Sequence, residues 1–279
     1  MGTSGGIKLK VKDDIIQFID YILNCISNGK YLYYQLSYIP LAKAENKEFL
    51  AKLDSKIKEK YQTNKNKNQR LYLRRQNKAR FIAVRYQNIL LVMRTEGDFE
   101  NGKNEKWIDI RNNKIELKIS EYTTYCVGFV KPKNNKNNKT LSNSVSVTLA
   151  ADTYNLIKLT CIDAIKYKKS IRKLYYEWNK INGFNGWSGI NKQKMQLKEY
   201  LVKEVCKEFG IKKRSAEKIF RVNTYRAKVC KTDNKNLTDT LEDVIKEFEF
   251  NFEQQNILDS ALESEATDTM PVVVQKDKL

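Results

Sequence analysis

Residues 80–95 read RFIAVRYQNILLVMRT, two apolar runs, RFIAVRY (80–86) and ILLVMRT (89–95), joined only by Gln87 and Asn88. Runs rich in Ile, Val and Leu, separated by two polar residues, predict a tight antiparallel hairpin. Side chains alternate across a strand, so this register puts Ile82, Val84, Tyr86, Ile89, Leu91 and Met93 on one face, the predicted core. The other face carries Phe81, Ala83, Arg85, Leu90, Val92 and Arg94, with Arg94 opposite Phe81. That face is expected to form a contact patch, the competing reading being that both arginines are paired inside the protein.

Upstream of the hairpin, residues 13–28 keep a 3.6-residue apolar period through Ile15, Ile16, Ile19, Ile22, Leu23 and Ile26, which predicts a helix stopped at Gly29. YLYYQLSYI (31–39), closed by Pro40, predicts a strand, and 46–61 a helix through Phe49, Leu53 and Ile57. Downstream, further strands are expected around 106–110, 115–130 and 141–149. Beyond Ala150 the pattern becomes helical, near 152–169, 170–181, 189–209, 213–221 and 238–258, with GFNGWSG (183–189) as a break. The expected fold is α+β: a mostly antiparallel sheet with flanking helices over 1–150, a helical domain over 151–232, and an acidic amphipathic helix and disordered tail over 233–279.

Composition narrows the chemistry. The 279 residues contain no His, which excludes Ser-His-Asp triads, His-assisted Cys nucleophiles, HNH nucleases and Cys/His zinc fingers. The five cysteines, Cys25, Cys126, Cys161, Cys206 and Cys230, form no C-x-x-C pair and read as small apolar residues of a reducing compartment. There is no run of 18 apolar residues and no apolar stretch in MGTSGGIKLK, so a cytoplasmic protein without membrane contact is expected.

The charge is unevenly spread. Lys and Arg number 52 against 33 Asp and Glu, and residues 233–279 hold only 4 of the basic side chains but 12 of the acids. A basic body with an acidic tail points to a polyanion partner, because neutralising phosphates releases condensed counterions. Lys-rich runs such as KPKNNKNNK (131–139) carry little information, but six of the 11 arginines, Arg70, Arg74, Arg75, Arg80, Arg85 and Arg94, fall within 25 residues. From Lys60 to Arg94 there are ten basic residues, including Lys78, and no acid, with Tyr61, Tyr72, Phe81 and Tyr86 interleaved. Guanidinium forks that bind phosphate, set among rings that stack on bases, predict a nucleic-acid contact surface.

A second candidate surface is VCKEFGIKKRSAEKIF (205–220), which resembles a helix-turn-helix core: Cys206, Gly210, Ala216 and Ile219 occupy its small, turn and apolar positions. Lys212, Lys213, Arg214, Lys218 and Arg221 would then line the recognition helix, with Arg226 and Lys228 in a following wing. The alternative is a helical hairpin with a basic outside.

Asp109, Glu116 and Lys118 resemble the D…E-x-K core of PD-(D/E)xK nucleases, in which two carboxylates would hold Mg²⁺ and the Lys would activate water. The competing reading is a cross-strand ion pair. Tyr175 and Tyr176 are expected to pack on their helix rather than act as nucleophiles, and GFNGWSG is read as a turn. In the tail, Leu241, Val244, Ile245, Phe248 and Phe252 form one stripe, so 237–258 is expected to dock on the body or on a protein partner.

The sequence therefore predicts a non-enzymatic nucleic-acid-binding protein without a cofactor. DNA is favoured over RNA, and the expected role is replication initiation or regulation in a plasmid or mobile element. The alternatives are the Mg²⁺-dependent nuclease just described and an RNA-binding subunit of a ribonucleoprotein.

Overall fold

In a computed structural model, residues 10–100, 102–130 and 144–226 are described, all within one compact unit spanning Met1–Val229. The expected helix over 238–258, with its tail, lies outside them. The elements are β1 (Lys10–Lys12), α1 (Ile15–Ser27), β2 (Tyr31–Tyr38), α2 (Leu41–Ala44), α3 (Lys47–Tyr61), α4 (Lys67–Arg75), β3 (Phe81–Tyr86), β4 (Ile89–Thr95), β5 (Ile108–Asp109), β6 (Ile115–Lys118), β7 (Thr124–Phe129) and β8 (Val145–Leu149). Four helices follow: α5 (Ala151–Lys166), α6 (Ile171–Asn182), α7 (Ser188–Phe209) and α8 (Lys213–Ile219). The fold is mixed α/β, a five-stranded sheet with its helices followed by a helical region.

The hairpin has the predicted register, Phe81 opposite Arg94 and Tyr86 opposite Ile89, with Gln87 in the left-handed region at φ 47°. It forms the middle of a sheet ordered β1-β3-β4-β2-β5, antiparallel except where β1 joins β3. Helix α1, capped by Asp14 Oδ1 accepting from Ile16 N, buries Phe18, Ile19, Ile22 and Ile26 against the first face, with the Phe18 and Tyr86 rings 5.6 Å apart. Burying side chains of this size contributes roughly 1.5–3 kcal/mol each.

The second face of the hairpin is also core, and here the sequence-based expectation is corrected. Ala83, Leu90 and Val92 are buried with Ile39, Ile57 and Tyr61, and Leu53 and Trp107 close the layer. Arg85 is 9% exposed, with Nη2 3.5 Å from Asp54 Oδ2 on α3. Alternation shows which residues share a face, but not whether a distant helix covers it.

The stretch 115–130 is two strands, not one. It turns at Ser120–Thr123 and pairs β6 with β7, while β8 completes a separate sheet ordered β6-β7-β8. Helix α7 is clamped along β8: the Gln193 amide donates to Leu149 O and accepts from Leu149 N, and Gly189 N donates to Ser146 Oγ at 2.8 Å. A Cβ at Gly189 would lie 2.3 Å from Val147 O, so only glycine allows this approach. Among the described residues no helix is long and apolar enough to cross a membrane.

Candidate nucleic-acid interface

The Arg-rich stretch forms an element that hydrophobic periodicity misses. Helix α4 opens with a capping box, Asn66 Oδ1 accepting from Gln69 N and Gln69 Oε1 accepting from Asn66 N, both at 2.9 Å. It buries no residue completely. Arg70 and Leu73 turn partly inward, while Leu71, Tyr72, Arg74 and Arg75 are exposed.

Beside α4 opens a cleft of about 1020 Å³. Lys65, Arg70, Lys78, Arg80 and Lys103 bring positive charge to it, and Tyr61, Tyr72, Phe81 and Phe99 supply its rings. A second hollow of about 340 Å³ shares Lys78 and Arg80 and adds Lys30 and Arg74. The two form adjoining basic surfaces.

These cations are not equivalent. Arg70 Nη2 donates to Thr63 O at 3.4 Å, and Arg80 Nη2 donates to Gly29 O at 3.2 Å with its guanidinium 5.7 Å from the Tyr31 ring centre. Both help to hold the framework. Lys65, Arg74, Arg75, Lys78 and Lys103 make no ion pair among the described residues, so their charge is available to a ligand.

Arg94 does not belong to that set. Its guanidinium lies 4.0 Å from the Tyr33 ring centre, 4.2 Å from Phe99 and 5.3 Å from Trp107, and Nη1 donates to Thr95 O. Desolvation by these rings lowers its pKa from the ordinary value. It braces the aromatic wall from behind. With Arg85 paired to Asp54, both hairpin arginines follow the competing reading, and neither forms an open patch. Phe81 is half-buried but still lines the cleft.

The far wall is held by its backbone. Asp98 N donates to Asn77 O and Ala79 N donates to Asp98 O, each at 2.9 Å, around Gly97 at φ 116°. A Cβ at Gly97 would lie 2.5 Å from Asn77 O. Gly97→Ala is therefore expected to destabilise the protein by about 1–2 kcal/mol, read as a lower urea midpoint at unchanged slope. An unaltered midpoint would show the wall to be pliable.

The helix-turn-helix expectation falls on α7 and α8. Gly210 ends α7 in the left-handed region at φ 64°, and Ala216, Ile219 and Phe220 are buried, Phe220 edge-on to Trp178 with ring centres 5.5 Å apart. Cys206 is half-buried. Lys212, Lys213, Arg214, Lys218 and Arg221 are exposed, with Lys213 Nζ 3.9 Å from Glu217 Oε1. Helix α8 stops at Ile219, two residues short of expectation.

The expected wing is corrected. Residues 221–226 run along the 182–186 loop, with Gly186 N donating to Tyr225 O and Asn182 Nδ2 to Arg221 O. Arg226 Nη2 lies 2.8 Å from Asp20 Oδ1, the atom that also accepts from Trp187 Nε1. Lys228 lies outside the described residues.

Asp109 and Glu116 are on strands of different sheets, so the nuclease-like constellation does not form on one strand pair. Asp109 accepts from both Nε and Nη2 of Arg111, and those bonds hold its carboxyl below the usual range. Its partner is Arg111, a cation the sequence reading had not weighed. Glu116 and Lys118 are exposed on β6, where the Tyr38 hydroxyl donates to Glu116 O and accepts from Lys118 N. Among the described residues no group of three His, Cys, Asp or Glu side chains converges as a metal site.

On α6, Leu174 and Trp178 are buried and Tyr175 is half-buried, but Tyr176 is 66% exposed under Lys180, contrary to the packing expected for it. The 183–189 segment is the expected break. It also contains buried Asn185 and Trp187 and is anchored by Lys194, a residue the sequence reading missed.

No family model matches this chain, nor does any curated protein, so the functional reading rests on the geometry described here.

Proposed function

We propose that the protein binds nucleic acid, DNA in preference to RNA, by gripping the phosphate backbone around the α4 cleft. The observation that carries this reading is the gathering of Lys65, Lys78 and Lys103, without ion pairs among the described residues, around a cleft lined by aromatic side chains, with Arg74 in the adjoining hollow. A solvated basic face needs neither the concavity nor the rings. No catalysis and no cofactor enter the proposal, and its setting is the cytoplasm. The role proposed, replication initiation or regulation in a plasmid or other mobile element, goes beyond what binding alone requires.

The test is fluorescence anisotropy with labelled random-sequence DNA at increasing salt. Log affinity should fall linearly with log salt, with a slope of roughly 0.7–0.9 per phosphate neutralised. Affinity that ignores salt would overturn the reading.

The α7–α8 unit is proposed as a second, duplex-reading surface, supported by the buried Ala216 and the exposed cations of α8. Replacing Lys212, Lys213 and Arg214 together by Gln should weaken duplex binding about tenfold and leave the melting temperature nearly unchanged, since all three are exposed. Intact duplex affinity would reduce α8 to a helical hairpin with a basic outside.

A further inference from the structure

We infer that the α4 cleft takes an unpaired single strand, with a base inserted among its aromatic side chains. This rests on the nucleic-acid reading above and adds the class of strand. Tyr72 is 61% exposed, and Phe81, Phe99 and Tyr61 line the same hollow. In a duplex, each base shows its ring faces only to its stacked neighbours, so a duplex offers one to these side chains only at the cost of unpairing and flipping it. A single strand can turn a base out of its stack and place it on an aromatic ring. The volume, about 1020 Å³, leaves room for a base with its sugar.

The acids point the same way. Asp98 and Glu100 line the cleft, and among the described residues neither carboxylate has a hydrogen-bond or ionic partner. A wall meant only for phosphate would exclude them, because like charges repel. Base edges carry N–H donors that a carboxylate can accept from, whereas phosphate oxygens have none. Cations and carboxylates in one hollow therefore suit a nucleotide unit, its phosphates toward the lysines and arginines and its base toward Asp98, Glu100 and the rings. The backbone bonds that pin Asp98 fix this wall before a ligand arrives, so little ordering is lost on binding.

The test uses the full chain and one labelled single-stranded reporter at fixed salt. Competitors of equal length are single-stranded DNA, single-stranded RNA, the same DNA strand with abasic sites, and blunt duplex DNA carrying no selected sequence. Intact single strands are expected to compete about tenfold better than duplex, and the abasic strand to lose about tenfold. Tyr72→Ala, an exposed change, should weaken binding of the intact strand and leave the abasic strand unaffected. Phe99→Ala should do the same, with circular dichroism confirming that the variant stays folded. The DNA strand is expected to compete better than the RNA strand, and a preference for RNA would overturn the choice of DNA. Equal duplex competition, or an abasic strand that binds as well as the intact one, overturns this inference and leaves salt-dependent nucleic-acid binding standing. Failure of every polynucleotide to bind overturns both readings.

Discussion

Replacing Lys65, Arg74, Lys78 and Lys103 together by Gln is expected to weaken polynucleotide binding at least about a hundredfold near 0.1 M salt. These four line the two hollows without an ion pair among the described residues, so their loss removes ligand contacts and leaves the framework intact. In the counterion-release picture, each phosphate contact multiplies affinity by up to roughly tenfold between 1 M and 0.1 M salt. Four complete contacts would set a ceiling near 10⁴-fold, and a hundredfold allows for side chains that reach phosphate only part of the time. The salt slope should flatten by roughly two to four contacts' worth in the same titration.

Arg70 and Arg80 are left out because Thr63 O and Gly29 O depend on them. A control removes equal charge elsewhere, from Lys47, Lys52, Lys56 and Lys192, exposed or partly exposed residues that do not line the cleft. If the control weakens binding as much as the cleft variant, net charge alone explains the affinity and the cleft loses its role.

The hairpin was legible in the sequence because two strong constraints agreed, a two-residue connection and a period of two on both sides. What lay beyond its second face was not. Arg85 looks like a surface cation until α3 brings Asp54 beside it, and Arg94 until Tyr33, Phe99 and Trp107 surround it. Both pairings join residues distant in the chain, and local pattern carries no trace of them. Helix α4 was missed for a different reason. Leu71, Tyr72 and Leu73 are consecutive, so no apolar stripe repeats, yet the Asn66 and Gln69 spacing of a capping box was readable. The acid-free, Arg-rich window led to the cleft, but the contribution of Gly97, Asp98, Phe99, Glu100 and Lys103 to its lining did not follow from charge. Asp98 and Glu100 flank Phe99 in the chain, and only the folded backbone brings them to the cleft beside α4.

Lys194 was also within reach of the sequence. In α7 the residues Ile190, Lys194, Leu197, Leu201 and Val205 follow one helical stripe, and all five are buried, so a lysine occupies a core position. Its three ammonium donors meet three main-chain carbonyls, Asn182 O at 2.9 Å, Phe184 O at 2.6 Å and Asn223 O at 2.8 Å. One side chain thus ties the end of α6, the loop before α7 and the segment after α8 together. That segment follows the candidate recognition helix directly, so the position of α8 depends on this anchor.

Lys194→Met keeps much of the volume but takes the donor from three part-buried main-chain carbonyls, at about 1–3 kcal/mol each. Part of that cost is offset because an ammonium no longer has to be buried. The net expectation is a loss of about 3 kcal/mol, measured by urea unfolding at neutral pH.

The pH dependence supplies an independent check. Burial pushes the Lys194 ammonium from the ordinary 10.5 down to about 8. Between those values the unfolded chain holds a proton that the folded protein has released, so stability must rise with pH across that window. Below it both states are protonated and the slope vanishes. Burial raises the tyrosine hydroxyls, Tyr125 to about 12, so the folded protein keeps protons that the unfolded chain loses above pH 10, and stability falls there. The tyrosines are common to wild type and variant and cancel in the difference. The stability of wild type minus that of Lys194→Met should therefore grow from about pH 8 to about pH 10. A difference that stays flat would mean that Lys194 keeps its charge throughout, held by its three carbonyls, and that desolvation does not govern this site.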